Sequence, residues 1–380
     1  MIRFAGNVTT MPNSWLELDR AKLLHNLAAL RALVHPARLM PVVKANAYGA
    51  GAVPVATVVA AEGIEQFAVA SVAEAVELRE AGTPGAILVL TYFDAGDVDA
   101  IIEHDLSPGV FTPEAAQWLS DGARVRGVTA HPWVKVDTGL GRLGVPYGQA
   151  PEFIRDVAKR AGVTVEGLFS TLAETAERNR AQVARLQSVA AEVRDVGVVP
   201  LSIASTQGVL SMPESRLDVV RPGMALLGVA PHAERLDAAI VRRLELRPIV
   251  TWKARAAYVK VVPRGECVGY GPRPMFERDT PIATLAVGWA DGYPQTLQGV
   301  GHVLLRGRRC PVLAISANST MVDVTGVDRV ERNDEAVLLG SQASERIAIE
   351  EIAEVIGSFY RVLAAIPRTV PRMWAPTASP

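Results

Sequence analysis

Between residues 15 and 230 the chain alternates short apolar, β-rich runs with longer stretches rich in Ala, Glu and Arg, and few folds accommodate that rhythm. The β-like runs are Leu39–Lys44, Gln66–Ala70, Ile87–Thr91, Leu106–Phe111, Trp133–Asp137, Val165–Phe169, Leu201–Ala204 and Met224–Val229. Helical stretches such as 71–82, 113–124 and 174–196 lie between them. Apolar strands separated by helices of about a dozen residues build βαβ units and hence a parallel sheet. Eight of them predict a (β/α)8 TIM barrel, whose usual size is about 250 residues. An open doubly wound sheet has the same periodicity and stays the alternative, because a period does not reveal closure.

The pattern changes after residue 245. Segments 247–262, 282–288, 302–306 and 322–325 are β-like, turn signals are dense, and helical periodicity returns only over 345–357. The expectation is an α/β chain in two parts: a barrel over 12–243, and a mostly β domain from 244–380 together with 1–11. A hydrophobic content of 49% and a net charge of -1 exclude a disordered chain and give no basic excess for a nucleic-acid backbone. The N-terminus has no apolar core of a signal peptide, and no run of about 18 apolar residues appears, so a cytoplasmic protein away from membranes is expected. Cys267 and Cys310 are far apart in no CxxC pattern and read as buried, inert thiols. The six histidines have no paired ligand spacing, so no metal is expected, and the charge-rich helix 174–196 reads as a solvated face.

The segment Pro41-Val42-Val43-Lys44-Ala45-Asn46-Ala47-Tyr48-Gly49-Ala50-Gly51 places a lysine at the end of the first strand, on the rim where barrel enzymes keep their chemistry. Desolvation there lowers an amine's pKa and makes it a usable nucleophile; the plainer alternative is a lysine whose stem covers the barrel mouth. In Val134–Gly144 a strand runs into a Gly-rich loop that carries Arg142, whose guanidinium fork suits a carboxylate or phenolic oxygen. An ion pair with Asp137 is the local alternative. Val220-Arg221-Pro222-Gly223-Met224 is a charged strand end and turn, Ser205-Thr206 by itself reads as a helix cap, and Tyr270 between two glycines as a turn or packing residue.

These segments, in this order along nearly the whole chain, resemble the alanine racemases, which pair a barrel with a β domain. The resemblance implies pyridoxal 5'-phosphate as cofactor, with Lys44 carrying it covalently and serving as one catalytic base, and Tyr270 as the second base on the opposite face. It implies cofactor contacts from Tyr48, Ser205, Thr206, Gly223, Met224 and Tyr360, with Arg221 against the pyridine nitrogen. Arg142, Ala317 and Asn318 fall at substrate positions, and Lys135 is the family's frequently carbamylated lysine. It further implies a homodimer in which the tyrosine base comes from the other subunit. Several positions depart from the family. Thr171 stands where a histidine is usual, Ser205-Thr206 replaces Asn-Ser, Ala317-Asn318 replaces Met-Asp, and Leu227 and Trp289 replace tyrosines. They lead to the expectation of a divergent racemase acting on an amino acid other than alanine. An amino-acid decarboxylase of the same plan, or a cofactor-binding protein without turnover, are the competing readings.

Overall fold

The computed structural model describes residues 12–376 apart from 198, 233–235 and 237, so the first eleven residues assigned to the β domain lie outside it. The chain forms two compact units, Ala21–Arg247 and the described parts of Met1–Arg20 with Pro248–Pro380. Its first strand, Ser14–Leu18 (β1), belongs to the second unit.

The first unit is a closed parallel barrel. Its strands are Arg38–Leu39 (β2), Gln66–Val69 (β3), Ala86–Val89 (β4), Ser107–Val110 (β5), Trp133–Asp137 (β6), Gly167–Phe169 (β8), Leu201–Ser205 (β9) and Val219–Arg221 (β10), with the two-residue Val145–Pro146 (β7) on the side of β6. They pair in the order β2-β10-β9-β8-β6-β5-β4-β3. A parallel bridge between Val42 and Ala68 joins the two ends of that order and closes the ring. Met40, Val42, Ala68, Leu88, Trp133, Phe169 and Val219 fill the interior. Local signals set the helices between strands: Thr112 caps the helix Pro113–Arg126 with Pro at its start, and Gly127 ends it in the left-handed region.

Two of the expected strands differ. The eighth strand is Val219–Arg221, not Met224–Val229. Pro222 has no N–H to continue a ladder, and the apolar run after it folds into tight turns in which Leu226 N donates to Gly223 O and Gly228 N to Ala225 O. All six of its residues are apolar or glycine because they are buried, not because they are extended. The first strand is shorter than Leu39–Lys44, yet its hydrogen bonds run on: Met40 N to Val220 O, Val42 N to Pro222 O, Ala68 N to Pro41 O and Val43 N to Ala68 O, each 2.9 Å. Lys44 therefore leaves the barrel at its seam.

The second unit is a nine-stranded sheet. It adds Val250–Val262 (β11), Thr280–Leu285 (β12), His302–Leu305 (β13), Arg308–Ile315 (β14), Thr320–Asp323 (β15), Glu335–Gln342 (β16), Glu345–Ile347 (β17) and Arg372–Trp374 (β18) to β1. β16 also pairs with β11, so β16-β13-β14-β15-β12-β11 forms a ring. Helices Ile349–Ile356 and Phe359–Ala364 follow the last hairpin. Cys310 is buried and its thiol is pushed up to about 11 by desolvation, whereas Cys267 is exposed, contrary to its expected burial. It lies past the end of β11 in a loop whose residues 263–267 are all exposed. Among the described residues no helix is long and apolar enough to cross a membrane.

Candidate active site

At the rim of the barrel the chain does something costly. Ala45, Asn46, Ala47 and Tyr48 have φ of 51°, 56°, 51° and 52°, a left-handed turn made without glycine. Such a turn costs roughly 1–2 kcal/mol per residue and survives only where its surroundings over-determine it. Here Ala47 N donates to Val43 O (2.7 Å), Gly51 N to Asn46 O (2.8 Å), and Ala52 N to Asn46 Oδ1 (2.9 Å). Ala45 N donates to Glu74 Oε1 at 2.6 Å. The turn swings Lys44 and Tyr48 onto the barrel mouth.

Three further cations converge there. Burial first, then the Arg142 and Arg221 guanidinium groups, hold the Lys44 amine below its ordinary pKa, with Glu74 opposing them. Lys135, buried on β6, is lowered to about 7 by desolvation, followed by Arg142, Arg221 and Lys44; Asp137 works the other way. Its Nζ donates to Leu90 O at 2.6 Å and lies 5.2 Å from the centre of the Phe169 ring. Arg221 is 4% exposed and lowered to about 10 by burial, so it stays charged at neutral pH. It donates to two neutral oxygens, Ser202 Oγ and Ser170 O, and among the described residues no carboxylate pairs with it. Asp137 does not pair with Arg142 either. Its carboxylate accepts from the N–H groups of Gly139, Leu140 and Gly141 at 2.9–3.1 Å, which shapes the loop and leaves Arg142 exposed with no ion pair among the described residues.

An excess of cations with few counter-ions is an anion site, and the backbone beside it has the shape of a cradle. Thr206 Oγ1 accepts from Gly223 N (3.1 Å) and Ala225 N (3.3 Å), so its own hydrogen is available to donate outward. The Gly223 N–H, expected to face a phosphate, is thus engaged within the protein, while Met224 N has no acceptor among the described residues. A Cβ on Gly223 would collide with Tyr48 Oη, so glycine is what lets the tyrosine hydroxyl reach this backbone. Ser205 holds the N-cap position of the short helix Thr206–Ser211 without a side-chain cap bond, which leaves its hydroxyl for another partner. Cationic fork, nucleophilic amine and unengaged donors all fit a phosphorylated pyridine aldehyde.

Behind Arg221 a polar chain runs inward. Ser170 Oγ and Thr138 Oγ1 are 2.7 Å apart, and Gln182 Nε2 donates to Thr138 Oγ1 (3.3 Å) and to Thr171 O (2.8 Å), while Gln182 Oε1 accepts from Ala173 N (2.7 Å). With threonine at 171 in place of a histidine, it is the buried Gln182 that ties this loop. The helix Ala176–Glu192 therefore has a working inner face, which its charge-rich sequence concealed; so did Glu74, in a stretch that reads as an ordinary helix start.

The remaining residues named from the sequence belong to the second unit. Tyr270 is 82% exposed in a bend where its carbonyl accepts from Arg273 Nε (3.0 Å). Tyr360 is on the helix Phe359–Ala364 and Trp289, at a tyrosine position, is half-exposed. Ala317 and exposed Asn318 form the turn between β14 and β15, where Ala317 O accepts from Ala290 N at 2.9 Å. Leu227 is buried.

Two family models match the chain: "Alanine racemase, N-terminal domain" over residues 18–231 and "Alanine racemase, C-terminal domain" over 249–374. An alanine racemase of Symbiobacterium thermophilum is 37% identical over 372 residues, covering 96% of this chain and 97% of the relative. Among solved structures, the alanine racemase of Streptomyces lavendulae superposes with a TM-score of 0.89 at 33% identity, covering 97% of this chain and 98% of that one. The alanine racemase of Clostridium difficile 630 gives a TM-score of 0.91 at 28% identity, covering 97% of each.

Proposed function

The chain belongs to the alanine racemase family and is an amino-acid racemase, and from that premise we propose a pyridoxal-phosphate enzyme that moves the α-proton with two bases, Lys44 and Tyr270. The observation that carries this reading is the cation cluster around a desolvated Lys44 at the mouth of the barrel. When bound, the cofactor's ring supplies the electron sink that makes an amino acid's α-proton removable. The protein does the rest. Lys44, its amine held below its ordinary pKa by burial and two guanidinium groups, would hold the cofactor and take or return the proton on one face. Tyr48, Ser205, Thr206 and the Met224 N–H would take the phosphate. Arg221, fixed by Ser202 and Ser170, would present to the ring nitrogen a donor that does not give up its proton. Arg142 would orient the substrate carboxylate, and for Tyr360 the family resemblance implies a cofactor contact.

Tyr270 supports a homodimer. A phenol needs a dry, cationic setting to act as a base near neutral pH, and at 82% exposure this one has no dry setting in its own unit. Met275, at 72% exposure, and half-exposed Trp289 lie on the same unit and leave further large apolar side chains for a second copy to cover. A free amino acid as substrate fits an enzyme of the cytoplasm, where we propose that it works.

Ala317 and Asn318 bear on the substrate. A methyl in place of a methionine and an amide in place of a carboxylate leave room and remove a charge, so we propose acceptance of amino acids larger or more polar than alanine. Screening proteinogenic amino acids for α-deuterium exchange with loss of optical purity tests this. One larger substrate is expected to exceed alanine in kcat/KM; alanine leading throughout would sink the idea.

Lys135 gives a second test. With its pKa near 7 its amine is substantially neutral, and its nitrogen lone pair can bond to the carbon of dissolved CO2, releasing one proton and leaving a carbamate. Arg142, Arg221 and Lys44 would stabilise that anion. In isotopically labelled bicarbonate a carbamate carbon resonance is expected, absent from Lys135→Ala; no resonance in the parent protein would exclude the modification.

A further inference from the structure

We infer that Glu74 is a positioning residue for Lys44, holding the left-handed turn that aims the lysine and standing beside it as a counter-charge. The inference rests on the reading of Lys44 as the cofactor lysine. Both carboxylate oxygens of Glu74 are committed to backbone. Oε1 accepts from Ala45 N at 2.6 Å, directly after Lys44, and Oε2 accepts from Ala70 N at 2.8 Å, one residue past the end of β3. One carboxylate therefore staples the first residue of the strained turn to the neighbouring barrel strand. The strand end is itself fixed, since Ala70 O accepts from Thr91 Oγ1 at 2.6 Å.

Without that staple the turn has every reason to relax. Ala45 is the first of four residues with positive φ, and an alanine gains by leaving that region. The Ser71–Glu74 spacing is that of a capping box, and Ser71 Oγ does accept from Glu74 N at 3.3 Å. The carboxylate, however, reaches beyond the helix to Ala70 and Ala45, so its work is directed at the lysine and not at the helix end. Near the start of the helix Val72–Glu80 it is also where a negative charge is favoured.

The charged groups around the Lys44 amine are Arg142, Arg221 and Lys135 on one side of the balance and Glu74 on the other. Removing the carboxylate leaves three cations facing the amine. Its proton is then held less well, and its angle of approach is no longer fixed.

The test uses the full chain with Glu74→Gln, which keeps one acceptor and loses the charge, and Glu74→Ala as a harsher variant. In cofactor-free protein, Lys44 is trace-labelled with acetic anhydride across pH and its modification quantified by peptide mass spectrometry. The labelling midpoint of Glu74→Gln is expected to fall by about one pH unit, the scale on which a neighbouring opposite charge acts. An unchanged midpoint in Glu74→Gln overturns the proposal whatever happens to Tm, because a purely structural role would move Tm alone. Should Glu74→Ala fail to fold, Glu74→Gln still decides. Failure of the underlying reading has a different signature: Lys44→Ala that keeps the visible absorbance of bound pyridoxal phosphate removes Lys44 as the cofactor lysine, while the labelling midpoint still reports on Glu74.

Discussion

Lys44→Ala is expected to purify without the visible absorbance of bound cofactor and to lose racemisation by more than about 10⁴-fold, the upper end of what one positioned base contributes. The loss is expected to go past that figure because, on the proposed reading, the same amine would also anchor the cofactor. The fold should not suffer. Lys44 is desolvated and faces two guanidinium groups, so its charge is a burden on the native state at neutral pH. The sign follows from proton counting. Its folded pKa lies below the ordinary 10.5, so the unfolded chain binds more protons and stability rises with pH across that window. At pH 7 the variant should therefore melt above the parent, and the gap should close as pH approaches 10.5. Scans of Tm against pH, run on cofactor-free protein, read this directly; a variant that keeps its colour, or a gap that widens with pH, would contradict it.

Tyr270→Phe carries the second large effect. Removing the hydroxyl should lower racemisation by about 10²–10⁴-fold while α-deuterium exchange on the face served by Lys44 continues. Only a hydroxyl is lost from a ring that is exposed in the single chain, so Tm should hold. The decisive form of the experiment mixes subunits. If the base is donated across a two-fold interface, equal parts of Lys44→Ala and Tyr270→Phe chains, unfolded and refolded together, form mixed dimers in which one of two sites is intact. Half the dimers are mixed, so roughly a quarter of the parent activity should return. No recovery from two inactive parents would falsify a site shared between subunits.

The barrel was readable because each strand is an apolar run between helices with ordinary caps, and β3 through β6 fall within a residue or two of their expected bounds. The eighth strand was displaced because Met224–Val229 looks like a buried strand and is a buried turn; burial and extension leave the same trace in sequence. The candidate site was legible as residue types in motifs, so Lys44, Arg142 and Arg221 could be named as its members. Their supports could not. Nothing in Ala45-Asn46-Ala47-Tyr48 apart from Asn46 and the glycines after it suggests a left-handed turn, because three of its residues are poor candidates for that region. Glu74 and Gln182 each sit on a helix where a surface position would read the same, and only the packed chain shows which way they point.

The Val42–Ala68 bridge has a consequence for how the protein matures. The strand before Lys44 needs residues 218–222 on one side and residue 68 on the other, so the lysine's setting exists only once the last barrel strand has returned to the first. Pairing over so long a stretch of chain is slow. A nascent or misassembled barrel with an open seam would have no place for the proposed cofactor. Its capture would then draw the population toward the closed ring by mass action, making the ligand a proofreader of assembly as well as a reagent.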